Sequence, residues 1–152
     1  MTKIHNFYLD LAYQLAETNL GKTGLNPSVG TVIVKDGSVI SSGVTSLKGR
    51  PHAEFNALFK IKNSSGASLY TSLEPCVHYG KTPPCTKIII KKKIKKVFFG
   101  SFDPDIRSYK KAESILRKKN IGVKKIKSNN YKNFFRSYFF NKRFNIPFIS
   151  AK

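Results

Sequence analysis

Acidic residues are scarce in this chain. Only 8 Asp and Glu stand against 28 Lys and Arg, a formal net charge of +20 at pH 7. Such an excess suits an anionic partner. Yet the lysine runs, such as Lys91-Lys92-Lys93 and Lys124-Lys125, flank apolar segments and do not gather into one basic arm. They read as a solvated surface, so nucleic acid is not expected as the partner, while a small anion such as a phosphate ester would still benefit from the field. Long apolar runs are missing too. No stretch of about 18 uncharged apolar residues exists, which excludes a helical membrane span. Met1 to Asn6 lacks the apolar segment of a signal peptide, which predicts a cytoplasmic protein. Cysteine occurs only at Cys76 and Cys85. In a reducing compartment two thiols point to metal binding or catalysis before a disulfide. Internal repeats and low-complexity segments are absent, and 152 residues suffice for one domain with a real core.

What is present alternates between helical and strand patterns. Ile4, Phe7, Leu11 and Leu15 recur at helical spacing and predict a core-facing helix over 3–19, closed by Gly21, with His5 at the surface. Asn26-Pro27 marks a tight loop. Thr31 to Lys35, the Asp36-Gly37 turn and Val39 to Val44 read as a β-hairpin. A helix is expected from Pro51 through Ile61, since proline suits a first helical turn. Ala67 to Leu73 reads as a strand, Pro84-Cys85 onward as a helix, and Lys96 to Gly100 as another strand. An amphipathic helix over 108–119 and a short strand over 121–126 follow. The last helix, over 129–141, carries Tyr131, Phe134, Phe135, Tyr138 and Phe139, a stripe suited to a core or a subunit interface. The fold class is α/β.

The chemistry concentrates in two segments. Pro51-His52-Ala53-Glu54 lies about twenty residues before Glu74-Pro75-Cys76, and eight residues separate Cys76 from Cys85. One histidine, a nearby glutamate and two cysteines, the first after a proline, match the signature of a zinc deaminase. A catalytic Zn²⁺ takes three protein ligands and leaves a position to water. His52, Cys76 and Cys85 supply the three. Glu54 is no ligand in this scheme; it would move protons from the water to a ring nitrogen and to the leaving amine. Cys85 is placed at a helix N-terminus, which should lower its thiol pKa. A structural zinc site would instead need a fourth protein ligand, and His78 is the spare candidate nearby. Asn26 reads first as a turn residue, although its amide can donate and accept at the edge of a heterocycle. Asp103 and Asp105, following a strand, also read first as turn residues.

Asn26-Pro27-Ser28-Val29-Gly30, Pro51-His52-Ala53-Glu54 and the whole run from Leu73 to Cys85 resemble the deaminase domain of the riboflavin-biosynthesis RibD (RibG) family, in which a pyrimidine deaminase is joined to a reductase. The resemblance spans nearly the whole chain and is densest from Asn26 to Ile90. The long insert between the cysteines is its specific part, because relatives acting on tRNA adenosine, cytidine or guanine usually carry only two residues there. It implies a cytidine-deaminase-like three-layer α/β/α sandwich with a central mixed sheet of about five strands. That domain would cover 1–144, with 145–152 as a linker into an absent reductase domain. It implies one Zn²⁺ per chain, a phosphorylated pyrimidine substrate that loses its 2-amino group as ammonia, a homo-oligomer, and a reductase acting next.

By motif position, Asn26 would bind the pyrimidine. His78, Lys81 and Thr82 would line the pocket, with Lys81 suited to a phosphate or ring oxygen. Asp103 and Asp105 would sit near the ribose. The chain departs from the family at Thr45, where many relatives have histidine. It departs again over Asp105 to Tyr109, where bulkier residues replace a glycine-lined approach to the sugar phosphate. Two other readings compete. One is a deaminase of RNA or of a free base or nucleoside. The other is a catalytically silent zinc-stabilised interaction module, which predicts a fourth protein ligand and no effect of Glu54→Gln.

Overall fold

In the computed structural model the described residues are 2–146. Of the segment 145–152, expected as a linker into a reductase domain, Pro147 to Lys152 lie outside them. Five strands form one sheet: β1 (Gly30–Lys35), β2 (Ser38–Val44), β3 (Ser68–Leu73), β4 (Lys96–Ser101) and β5 (Gly122–Lys125), in the order β2-β1-β3-β4-β5. β1 runs antiparallel to β2 and β3, while β3, β4 and β5 run parallel. Parallel neighbours need crossovers. These are supplied by α3 (Cys85–Lys91) and α4 (Ala112–Arg117), and α1 (Thr2–Glu17), α2 (Ala53–Phe59) and α5 (Arg136–Phe144) complete the helices.

Alternation of side chains along the strands makes two cores. Val32, Val34, Tyr70 and Phe98 pack with Leu9, Ala12 and Tyr13 of α1 and with Phe135. On the opposite face, Ile33, Leu69, Val97 and Phe99 pack with Ala57 and Leu58 of α2, Ile89 of α3 and Leu116 of α4. The result is the three-layer α/β/α sandwich with a five-stranded mixed sheet anticipated above. No helix among the described residues is long and apolar enough to cross a membrane.

Several details depart from the sequence-based expectation. The buried face of α1 is Tyr8, Leu9, Ala12, Tyr13 and Ala16; Ile4 and Phe7 are exposed, and Leu11 and Leu15 only half-buried. Small residues decide this face. α1 lies so close to β1 that a Cβ on Gly30 would stand 1.9 Å from the Ala12 carbonyl oxygen. His5 is half-buried instead of free at the surface, with Nδ1 2.8 Å from the Tyr70 hydroxyl and its ring stacked on Phe98. α2 begins at Ala53, because His52 is still extended at the N-cap position. α4 begins at Ala112, preceded by turns that Glu74 holds (below). Of the aromatic stripe of the last segment, Phe135 is buried and Tyr131, Phe134 and Tyr138 pack half-buried against the same core, while Phe139 is exposed.

Candidate active site

β3, the central strand, ends at Leu73 and releases Glu74-Pro75-Cys76 beside the start of α2 and of α3. There His52 Nδ1 lies 3.7 Å from Cys76 Sγ and 3.5 Å from Cys85 Sγ. One ligand atom from each of the three falls within 4.8 Å of the others, and they form the single metal-holding group found among the described residues. The Cys85 amide donates to Cys76 Sγ at 3.2 Å. Two sulfurs and an imidazole nitrogen make a donor set that fits Zn²⁺. His52 Nε2, turned away from the sulfurs, is buried without a hydrogen-bond partner.

The two thiols are not equivalent. A hydrogen bond from Cys85 lowers the Cys76 thiol to about 4, with His52 helping. Cys85 is pushed up, first by that same hydrogen bond and then by its burial. The expectation that the helix N-terminus lowers the Cys85 pKa is therefore corrected. Two adjacent thiolates repel, so the pair keeps one proton, and the more buried sulfur holds it. Glu54, in the first turn of α2, is buried. Burial, and then the charge of Cys76, push its carboxyl up to about 7.

His52, Glu54 and Cys76 line a cleft together with Asn26, His78, Asp103 and Asp105. Of the residues expected at the substrate, Lys81 and Thr82 are not among its lining. Lys81 is exposed, and the Thr82 hydroxyl accepts a hydrogen bond from Arg50 Nη1 at 2.6 Å. The Asn26 amide donates to the Gly49 carbonyl at 3.0 Å. His78 Nδ1 lies 2.9 Å from the hydroxyl of the buried Ser108, which also accepts the Val77 amide. Thr45 lines the cleft too, and its hydroxyl accepts the Val29 amide at 3.0 Å.

Sequence reasoning passed over five further lining residues: Arg50, Glu74, Arg107, Tyr138 and Lys142. The Glu74 carboxylate accepts the amides of Lys110 at 3.0 Å and Ala112 at 3.1 Å, which ties the loop after β4 to the end of β3. In that loop Asp105 pairs with Arg107 at 2.5 Å and with Lys142 at 3.3 Å. The hydrogen bond from Arg107 holds the Asp105 carboxyl well below the usual carboxylate range. Asp103 accepts the Asp105 amide at 3.0 Å and the Tyr138 hydroxyl at 3.2 Å, and its burial pushes its pKa up. The acid–base pair Asp105-Ile106-Arg107 was visible as a local signal. Tyr138 and Lys142 come from a distant helix, and no local pattern marks them.

Residues 2–101 match the family described as the cytidine and deoxycytidylate deaminase zinc-binding region. The chain is 42% identical over 122 residues to the riboflavin biosynthesis protein RibD of Aquifex aeolicus, covering 80% of this chain and 34% of that one. It is 41% identical over 119 residues to the diaminohydroxyphosphoribosylamino-pyrimidine deaminase of Buchnera aphidicola, covering 78% and 81%. The RibD structure of Acinetobacter baumannii superposes with a TM-score of 0.89 at 34% identity, over 97% of this chain and 42% of that one. The chain thus spans about a third of the length of the RibD protein of Aquifex aeolicus.

Proposed function

Because this chain belongs to the cytidine and deoxycytidylate deaminase family, and within it to the RibD deaminases, we propose that it hydrolyses the 2-amino group of a diaminohydroxyphosphoribosylaminopyrimidine. The products are the aminouracil ribotide and ammonia. The observation that carries this reading is the metal-holding group of His52, Cys76 and Cys85 set at a cleft that His52, Cys76 and the buried Glu54 line.

His52, Cys76 and Cys85 would hold one Zn²⁺. When bound, the ion supplies a water acidic enough to attack at neutral pH. The proton transfers fall to Glu54. A carboxylate oxygen of Glu54 takes a proton from the attacking water and gives one to the ring nitrogen beside the amino-bearing carbon. Glu54 then takes the proton of the newly added hydroxyl and passes it to the departing amine, so the carbon exchanges C–NH₂ for C=O and ammonia leaves. Burial raises the Glu54 carboxyl above its ordinary value, which suits it both to accept and to donate a proton. Asn26 and His78 would hold the pyrimidine edge, with His78 fixed by Ser108. Asp103 and Asp105 would accept from ribose hydroxyls. The bifunctional relative of Thermotoga maritima carries a reductase beside its deaminase; by that likeness the product here passes to a reductase.

Two observations weigh against the competing readings. Four carboxylates, Glu54, Glu74, Asp103 and Asp105, line the cleft, a setting that disfavours a polyphosphate strand. His78, the spare fourth ligand of a structural zinc site, is engaged by Ser108 and stands outside the metal-holding group.

The test is ammonia release from the reduced diaminopyrimidine ribotide by zinc-loaded protein. Glu54→Gln should slow turnover by about 10²- to 10⁴-fold while zinc content stays unchanged. Full turnover by Glu54→Gln would remove Glu54 from the mechanism. No turnover by the wild type would discard this substrate.

A further inference from the structure

Among the three cations that line the cleft, Arg50 alone has no carboxylate opposite it. Arg107 and Lys142 both pair with Asp105. Among the described residues Arg50 makes no ion pair; its Nη1 donates to the Thr82 hydroxyl. Thr82 belongs to the insert between Cys76 and Cys85, so one arm of the guanidinium is tied to the loop that carries the metal-holding thiols. The other arm lies over Gly80, where an added Cβ would stand 3.2 Å from Nη2. Gly80 itself lines the cleft. A guanidinium presents five donors in a rigid fork. Thr82 occupies one of them, and the rest remain for an anion that enters the cleft. The backbone adds to the placement: Arg50 is two residues from His52, so an anion held here lies on the His52 side of the cleft. Lys81, the cation expected to do this from the sequence, is exposed and outside the lining.

Building on the deaminase reading, we propose that Arg50 receives the phosphate monoester of the substrate, positioned by the Thr82 hydroxyl, and so sets a preference for the ribotide over the phosphate-free riboside. A planar fork matches a phosphate with two parallel hydrogen bonds, which a point-charge lysine does not.

The test compares both substrates on zinc-loaded wild type, Arg50→Ala, Arg50→Lys and Thr82→Val. In Arg50→Ala the ratio of kcat/KM for ribotide over riboside should fall about 10- to 100-fold, the range of a charge-assisted hydrogen bond. The loss should appear chiefly as a raised KM for the ribotide. Arg50→Lys should fall between, and Thr82→Val should show a smaller loss in the same direction. An unchanged ratio in Arg50→Ala, or an equal loss on both substrates, overturns the inference. If the wild type deaminates neither substrate, the deaminase reading has failed, and the anion site is judged on binding alone. Calorimetry with ribose phosphate against ribose should then show the phosphate preference reduced in Arg50→Ala, and equal preference in the two proteins overturns the site.

Discussion

Asp103 and Asp105 stand two positions apart and are driven in opposite directions by their surroundings. Burial raises Asp103, so the folded protein binds that proton more tightly than the unfolded chain. Ionising Asp103 at neutral pH therefore costs stability, and the cost disappears as the pH falls below the ordinary carboxyl range. Asp103→Asn should raise the Tm of the zinc-loaded protein near pH 7, and the gain should shrink toward about pH 4. Asp105 is lowered by Arg107, so its pairing contributes above the ordinary carboxyl pKa and is lost as the pH falls through the lowered value. Asp105→Asn should lower the Tm near neutral pH, and the difference should close in acid. Arg107 is more than half exposed, so the second effect should stay below about 1 kcal/mol. Thermal unfolding of both variants between about pH 4 and 7 checks the signs. Shifts of the same sign would sink this account of the two carboxylates. Both variants should also turn over the ribotide more slowly, since both side chains line the cleft.

At the scale of elements, two glycines set where two helices dock. A Cβ on Gly30 would meet the Ala12 carbonyl of α1, and a Cβ on Gly43 would stand 2.4 Å from the Ala53 carbonyl and 2.5 Å from the Ala57 amide of α2. Backbone cannot yield as a flexible side chain can, so each Gly→Ala change should cost about 1–3 kcal/mol or more. The consequences should differ, because α2 carries Glu54 and starts next to His52, whereas α1 carries no residue of the metal site. Gly43→Ala should weaken zinc binding as well as stability; Gly30→Ala should lower stability and leave zinc affinity intact. Urea denaturation and a zinc titration separate the two. Equal zinc affinity in both would mean that the seating of α2 does not set the metal geometry. The same glycines explain what was legible in the sequence. His52, Glu54, Cys76 and Cys85 could be read because they fall in two short sequence segments, at the start of α2 and between the end of β3 and the start of α3. The face of α1 could not, because Ala12 and Ala16 dock it on Gly30, while a count of large apolar residues favours Ile4 and Phe7. Arg50 had no neighbour in sequence to mark it, since Thr82, its partner, arrives from beyond β3.

Across the whole molecule, a net charge of +20 surrounds a cleft whose own lining holds four carboxylates. The long-range field and the contact at Arg50 are therefore separable. The field draws any small anion toward the protein and weakens as salt shortens its reach, from about 30 Å at 0.01 M to about 8 Å at 0.15 M. The guanidinium acts only at contact. Raising ionic strength across that range should lower kcat/KM for the ribotide several-fold and leave the riboside nearly unchanged. In Arg50→Ala the ribotide should begin from a lower value yet fall with salt at nearly the wild-type slope, because one charge in so large an excess barely alters the field. Steady-state kinetics at four or five salt concentrations would decide it. If the slope vanished with Arg50, one contact would account for the whole salt effect, and the remaining lysines would be a solvated surface with no part in drawing the substrate in.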